Sequence, residues 1–177
     1  RGEPWFCICI AKLTDNRPTA AVIYAPMLDE LYEAVLGGGA RLNGQPIRVA
    51  ETTSLEDCRM IGDGQMFDHP AWKQAWPPMR LARPKPNAMA LRMALVASGR
   101  WDAAVALWRK SDWDLAAASL ILEEAGGIST NHEGQGFIFN TALPVQKSVV
   151  AAGPCLHELI IQRVGHVRLP DPSHPQA

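Results

Sequence analysis

The segment from Asp114 to Ala125 constrains the fold of this chain more than any other, because it is almost wholly apolar around its circumference. It reads DLAAASLILEEA and is followed by Gly126-Gly127, a pair typical of a helix end. A helix that is apolar on every face is buried, and its alanines allow neighbouring backbone to approach closely. Asp114 stands in the first turn, so its charge is expected at the edge of a core.

Two interpretations of Asp114 follow from these residues. Ser111 and Asp114 have the spacing of a capping box, and an acid in the first turn interacts favourably with the helix dipole. Alternatively, a carboxylate at the rim of a core is placed to hold a metal ion or to lie beside a phosphate. Asp112, two residues earlier, does not share a helix face with Asp114, so at most one of them points into a common site.

The composition excludes some classes of function. The chain has 177 residues and a formal net charge of -1, and no dense Lys/Arg patch is visible, so we expect no nucleic-acid partner. No apolar run reaches the roughly 18 residues of a membrane helix, so we expect no membrane partner. No N-terminal segment has the order of a signal peptide, which predicts a cytoplasmic protein.

The first part of the chain, residues 1–55, predicts an antiparallel sheet layer. Short apolar or alternating runs are separated by turn residues, and Asn43-Gly44 is a strong hairpin signal. Gly37 to Gly39 also predicts a hairpin turn; it lacks the Lys-Ser/Thr of a phosphate-binding loop and no helix follows it. The predicted strands are Trp5–Lys12, Ala20–Tyr24, Glu30–Val35, Ala40–Leu42 and Ile47–Val49.

Residues 56–168 predict an α/β layer, and residues 169–177, with three prolines, predict a mobile tail. Strands and helices alternate here, which favours a mixed sheet covered by helices. The predicted helices are His69–Trp76, Ala88–Ser98, Asp114–Ala125 and Pro154–Val164, and the predicted strands are Arg59–Ile61, Met79–Ala82, Trp101–Leu107, Ile128–Thr130 and Ser148–Ala152.

The cysteines and histidines give no sign of a metal or catalytic cluster. No C-x-x-C pair is present, so the four cysteines are predicted to be buried reduced thiols, with Cys7 and Cys9 on one face of a strand. Asp63, between Gly62 and Gly64, is predicted to lie in a turn after a strand. The five histidines stand in polar or loop contexts and are predicted to be surface residues: His69, His132, His157, His166 and His174.

An ordered set of short motifs resembles the inositol monophosphatase family over residues 2–160. Each motif is weak alone, but the order of the set is specific. The matching motifs are Gly2-x-Pro4-x-Phe6, Ala21-Val22-Ile23-Tyr24-Ala25-Pro26, Glu30-Leu31-Tyr32-x-Ala34, Gly37-x-Gly39-Ala40-x-x-Asn43-Gly44, Leu91 to Arg100, Trp113-Asp114-x-Ala116-Ala117 and Glu124-Ala125-Gly126-Gly127.

The resemblance implies a layered αβαβα sandwich of the inositol monophosphatase and fructose-1,6-bisphosphatase type, an α/β fold. It also implies Mg²⁺-dependent hydrolysis of a phosphate monoester on a small phosphorylated metabolite, by a homodimer. Carboxylates that hold hard cations activate water and offset charge on the leaving oxygen. By the resemblance, Asp114 matches the aspartate that binds the second metal ion.

The chain departs from the family pattern in ways that bear on activity. The family's Glu-Glu and DPxDGT motifs, which supply most of the first metal shell, and its N-terminal helices are absent. We therefore expect no catalytic residue within these 177 residues, and no pair of metal ions held by them alone. Whether the sequence is a fragment stays open, as does a catalytically inactive binding module with the same fold.

The substrate-binding residues also depart from the pattern. The segment Asn87, Ala88 and Met89 stands where the family often has Gly-Ser or Gly-Thr, and we expect it to border the substrate. Leu107 occupies the position of a glutamate that contacts inositol hydroxyls, so histidinol-phosphate phosphatase and 3'(2'),5'-bisphosphate nucleotidase remain alternatives. Arg109 and Lys110 are either surface charges or contacts for a second anionic group of the substrate.

Overall fold

An antiparallel meander forms the first sheet of the computed structural model, which describes residues 5–169. The strands follow one another in sequence order, and in the long β1–β2 pair Cys9 lies opposite Ile23. Asp15 and Asn16 close this pair with positive φ angles, which Asp and Asn tolerate well. The strands are β1 (Ile8–Thr14), β2 (Arg17–Ala25), β3 (Glu30–Val35), β4 (Ala40–Leu42) and β5 (Gln45–Pro46).

The second sheet mixes parallel and antiparallel pairs. β6 is parallel to both β7 and β8, whereas β12 is antiparallel to β8 and β10, and the order is β10-β12-β8-β6-β7. A separate short pair joins β9 to β11. The strands are β6 (Arg59–Ile61), β7 (Arg80–Leu81), β8 (Ala103–Ala106), β9 (Lys110–Ser111), β10 (Ile128–Thr130), β11 (Val145–Gln146) and β12 (Val149–Ala152).

Four helices are described, and two of them are almost completely buried. Every residue of α2 is buried, and α3 buries a continuous run from Leu115 to Leu122. Pro154 starts α4, where its missing N–H costs no hydrogen bond. The helices are α1 (Gly64–Phe67), α2 (Met89–Ala97), α3 (Asp112–Glu124) and α4 (Pro154–Val164). None of the helices in the described part of the chain is long and apolar enough to cross a membrane.

The core shows the order of the layers. One hydrophobic cluster joins the inner face of the first sheet, α2, α3 and one face of the second sheet, through residues such as Ile23, Leu91, Leu120 and Ala104. A second cluster lies on the other face of the second sheet and includes Val105 and residues of α4. The layers therefore run sheet, helices, sheet, helix, which confirms four layers of the predicted α/β sandwich.

The outer face of the first sheet is apolar and is not covered by any described residue. Its large exposed side chains include Ile8, Ile10 and Val35, which are 54%, 65% and 60% exposed. Exposed apolar faces of this size mark surfaces that contact another part of the molecule. The outermost helical layer that the family resemblance implies would lie on this face.

Several local predictions are confirmed and two are wrong in detail. The bounds of β3 and α4 agree with the predicted ranges. The Asn43-Gly44 hairpin is present, but its second strand is β5 at Gln45–Pro46 rather than Ile47–Val49. The helix predicted at His69–Trp76 is wrong: this segment forms turns, and the Ala71 N–H donates to His69 Nδ1 at 3.2 Å. That local bond and Pro70 compete with a helix.

The prediction that all histidines lie on the surface is wrong for two of them. His132 is buried, and its Nδ1 and Nε2 lie 2.7 Å from Ser148 Oγ and 2.9 Å from the Val167 carbonyl. His157 is buried beside Thr130, with 2.8 Å between Nε2 and Oγ1, and burial lowers the pKa of His157. Sequence context misses these partners because they are distant along the chain. His69 and His166 are exposed, and His174 lies outside the described residues.

The cysteines are reduced, but they are not uniformly buried. Cys58 is buried, Cys7 and Cys9 are half-buried, and Cys155 is exposed on the first turn of α4, so the prediction is wrong for Cys155. The Sγ atoms of Cys7 and Cys9 are 3.7 Å apart, which confirms that the two share a face. The mobile tail predicted for residues 169–177 falls, apart from residue 169, outside the described residues.

Candidate functional site

The carboxyl ends of β6, β7 and β8 lie at one edge of the second sheet because these three strands are parallel. The segments that follow them are 62–63, 82–88 and 107–109, and they lead to the amino ends of α1, α2 and, through β9, α3. Ligands of α/β proteins bind at such an edge, where loops and helix amino ends meet. A cleft of about 520 Å³ between residues 62–68 and 81–85 opens at this edge.

The two aspartates at the start of α3 differ in their partners. Asp112 is buried and accepts hydrogen bonds from Asn140 N at 2.8 Å and from Gln146 Nε2 at 2.9 Å. The Asp114 carboxylate is half-buried and accepts no hydrogen bond from residues 5–169. The expectation that only one of the pair points into a common site fits this division: Asp112 fastens the 138–146 segment, and Asp114 is left for a ligand.

The capping interpretation of Asp114 is not supported by the geometry. Ser111 is the N-cap residue of α3, but its side chain makes no capping hydrogen bond. The reciprocal bond of a capping box, from the Ser111 N–H to Asp114, is also absent among the described residues. The charge of Asp114 still interacts favourably with the amino end of the helix, which the absence of a capping bond does not change.

The surroundings of Asp114 combine thiols and a cation. Its charge acts on the Cys7 and Cys9 thiols and on the Lys110 ammonium. The hydrogen bond with Cys7, then burial, raises the pKa of Cys9 far above that of a free thiol. Cys9 therefore stays protonated at neutral pH and is not a nucleophile.

The predicted substrate-bordering residues are not equally accessible. Asn87 is exposed, and Ala88 is the half-buried N-cap of α2 without a capping side chain. Met89 is only 3% exposed and belongs to the core, so its side chain does not border the site. Leu107 is half-buried and packs against the cluster beneath α4.

Arg92 was not predicted as a site residue, although it is the only charged residue in the apolar sequence of α2. Its side chain is 3% exposed, and it donates from Nε to the Pro86 carbonyl at 2.6 Å and from Nη2 to the Asn87 carbonyl at 3.2 Å. These bonds hold the loop that precedes α2. Burial lowers the pKa of Arg92, while the charge of Asp63 raises it. A single charge in an apolar helix was the signal that could have found it.

The described residues alone do not fit a metal ion. Divalent hard cations need several oxygen ligands, and no group of three or more His, Cys, Asp or Glu side chains within residues 5–169 could hold one. Asp114 offers one carboxylate without a protein partner. This agrees with the absence of the family's other acidic motifs, and the chain contributes at most part of a metal shell.

These features define a layered α/β domain with an acidic site at a sheet edge. The chain belongs to the inositol monophosphatase family, whose family model matches residues 1–168. A Thermotoga maritima fructose-1,6-bisphosphatase/inositol-1-monophosphatase is 33% identical over 168 residues, covering 94% of this chain. A Dictyostelium discoideum inositol monophosphatase is 36% identical over 140 residues, or 74% of this chain.

Solved structures of relatives have the same fold. The extragenic suppressor protein SuhB of Bartonella henselae superposes with a TM-score of 0.71 at 30% identity, covering 91% of this chain and 64% of that one. An inositol monophosphatase from Thermotoga maritima gives 0.72 at 31% identity, covering 92% and 62%. The chain spans 62% of the Thermotoga relative's sequence and 51% of the Dictyostelium one.

Proposed function

We propose that this chain is part of a Mg²⁺-dependent phosphatase that hydrolyses phosphate monoesters, and that Asp114 is one of its metal ligands. The observation that carries the proposal is the contrast within α3: Asp112 has two hydrogen-bond donors, and Asp114 has none from residues 5–169. Family membership supports the class of reaction. The further ligands that a hard cation needs are not among the described residues.

The site residues have separate roles in this proposal. Asp114 supplies an anionic oxygen for the ion, which would polarise the phosphoryl group and activate water. The amino end of α2, with Ala88 as N-cap, directs backbone N–H groups toward the sheet edge. Arg92 positions that amino end by binding the Pro86 and Asn87 carbonyls, so the loop is rigid before substrate binds.

The remaining expectations belong to the same proposal. We propose a small phosphorylated metabolite as substrate, a homodimer and a cytoplasmic location, each suggested by family resemblance or composition. Leu107 offers no hydrogen-bond acceptor for an inositol hydroxyl, so inositol monophosphate need not be the preferred ester. Sedimentation that detects only monomers at micromolar concentration would contradict the dimer.

The test is Mg²⁺-dependent phosphate release by the protein as expressed from its own gene. The substrates are inositol monophosphate, histidinol phosphate and adenosine 3',5'-bisphosphate, with EDTA as control. Asp114→Asn should lower kcat by roughly a thousandfold, because about 4 kcal/mol of charge stabilisation depends on the bound ion. Asp57→Asn is the matched control: Asp57 precedes β6 at the opposite edge, is exposed, and has a positive φ that Asn tolerates.

Each outcome has a distinct meaning. Release that EDTA abolishes and Asp114→Asn removes supports the proposal. Release that persists at the full rate in Asp114→Asn contradicts the role of Asp114 as ligand. No release from any ester, with the protein folded, contradicts the phosphatase activity and favours a binding module with the same fold.

A further inference from the structure

Two lysines from different loops meet at one tryptophan beside the candidate site. Lys85 lies in the segment after β7, and Lys110 lies in β9, shortly after the carboxyl end of β8. Their Nζ atoms are 5.8 Å and 4.7 Å from the centroid of the Trp108 ring. The ring is 40% exposed and both lysines are half-buried. Cation–π contacts thus hold two ammonium groups at one place on the sheet edge.

A third cation lies close to this pair. Arg92 is buried on α2, and its charge and that of Lys85 both act on Lys110. Arg92 Nη1 is buried and has no hydrogen-bond partner among residues 5–169. A buried donor without a partner is costly, and native proteins usually reserve such a group for a ligand or for water.

The carboxylates near these cations do not balance them. Lys85 makes a long contact of 3.8 Å with Asp63 Oδ2, and Lys110 forms no salt bridge with a carboxylate of the described chain. Asp114 interacts with Lys110, but in the proposed function that carboxylate binds a metal ion. Three cations then face one available carboxylate, Asp63. Burial and the other cations lower the pKa of Lys110 to about 8, which is the electrostatic cost of this crowding.

We propose that Lys85 and Lys110, held at Trp108 and supported by Arg92, bind a second anionic group of the substrate, a phosphate or a carboxylate. The scissile phosphate would lie at Asp114, and the second group would offset the excess positive charge. This inference rests on the proposed function, because it treats Asp114 as the reacting end of the site. It assigns Lys110, and not only the amino end of α2, to substrate selection.

The first test compares esters that differ only in the second anion. Butanediol bisphosphate and hexanediol bisphosphate are each compared with their monophosphates, because flexible chains allow the second phosphate to find its site. We expect kcat/KM for the better bisphosphate to exceed that for its monophosphate by about tenfold, mainly through KM, as one charge-assisted hydrogen bond provides. In Lys110→Met this ratio should fall to about one, whereas Lys73→Met, an exposed lysine elsewhere, should keep it.

The second test does not depend on catalysis. Titration calorimetry with the same bisphosphates in EDTA measures the subsite without metal, in the wild type, Lys110→Met and Lys73→Met. Binding that only Lys110→Met weakens supports the subsite even if no ester is hydrolysed, in which case the proposed function alone fails. Equal hydrolysis of the bisphosphate and monophosphate, with binding that Lys110→Met does not change, overturns the subsite and leaves the phosphatase proposal standing.

Discussion

The two ends of α3 both carry acidic side chains, but the partners of those side chains differ. At the carboxyl end, Glu124 accepts hydrogen bonds from Gly37 N and Gly39 N, each at 2.7 Å. At the amino end, Asp114 accepts none from residues 5–169. One acid therefore joins the helix to the first sheet, and the other leaves its oxygens available. Burial and charge alone do not separate these roles, because both side chains are half-buried.

The glycine turn explains why the carboxyl end is structural. Gly37 and Gly39 have φ angles near 75°, which side-chain-bearing residues rarely adopt. Gly38 N donates to the Val35 carbonyl at 2.7 Å, so the turn closes a hairpin and does not cradle a phosphate. Both outward N–H groups of the turn are taken by Glu124. The glycine-rich segment and the EAGG segment, which sequence comparison treats as separate motifs, form one contact.

The largest stability change is expected at the structural end. Glu124→Ala removes two charge-assisted hydrogen bonds and should lower the free energy of unfolding by about 3 kcal/mol. Glu124→Gln keeps one acceptor oxygen and should cost roughly half as much. Urea unfolding measures both variants. A loss below about 0.5 kcal/mol in Glu124→Ala would show that the turn does not depend on Glu124, and the contrast between the two ends would lose its basis.

A smaller change is expected at Asp112, the bonded acid at the amino end. In Asp112→Asn the new amide can accept from only one of the donors Asn140 N and Gln146 Nε2, and its own N–H₂ faces the other. We expect a loss of roughly 2 kcal/mol in urea unfolding, because the side chain is buried. If Asp112→Asn instead abolished metal-dependent turnover without a loss of stability, the roles of Asp112 and Asp114 would have to be exchanged.

The sequence predicted elements well where the signal is local and poorly where it depends on distant contacts. Pro154 marked the start of α4, and the alternation of Glu30–Val35 marked β3. The two-residue strands β9 and β11 were missed, because they are defined only by their pairing across 34 residues, as between Ser111 and Val145.

The candidate site shows the same limit. The family resemblance pointed to Asp114, but it did not identify which neighbouring acid is occupied, since Asn140 and Gln146 are distant in sequence. The convergence of Lys85 and Lys110 at Trp108 also depends on the order of strands in the second sheet. Residue types along the chain give no information about that convergence.

The smallest expected effect concerns pH. The pKa of Lys110 is lowered to about 8 by burial and by the charges of Arg92 and Lys85, against the opposing charge of Asp114. Lys110 is charged below that pH and neutral above it. The roughly tenfold preference in kcat/KM for a bisphosphate over its monophosphate should therefore disappear as pH rises through about 8. A preference that stays constant up to pH 10 would exclude Lys110 as its source, since an ordinary surface lysine titrates higher.

Metal binding by Asp114 is the central claim, and Mn²⁺ titration followed by electron paramagnetic resonance tests it most directly. The protein as expressed, Asp114→Asn and Asp57→Asn are titrated alike, and urea unfolding of each confirms that stability changes by less than about 0.5 kcal/mol. We predict that Asp114→Asn weakens Mn²⁺ binding by at least about tenfold and that Asp57→Asn binds like the wild type. Wild-type affinity in a folded Asp114→Asn would contradict the claim.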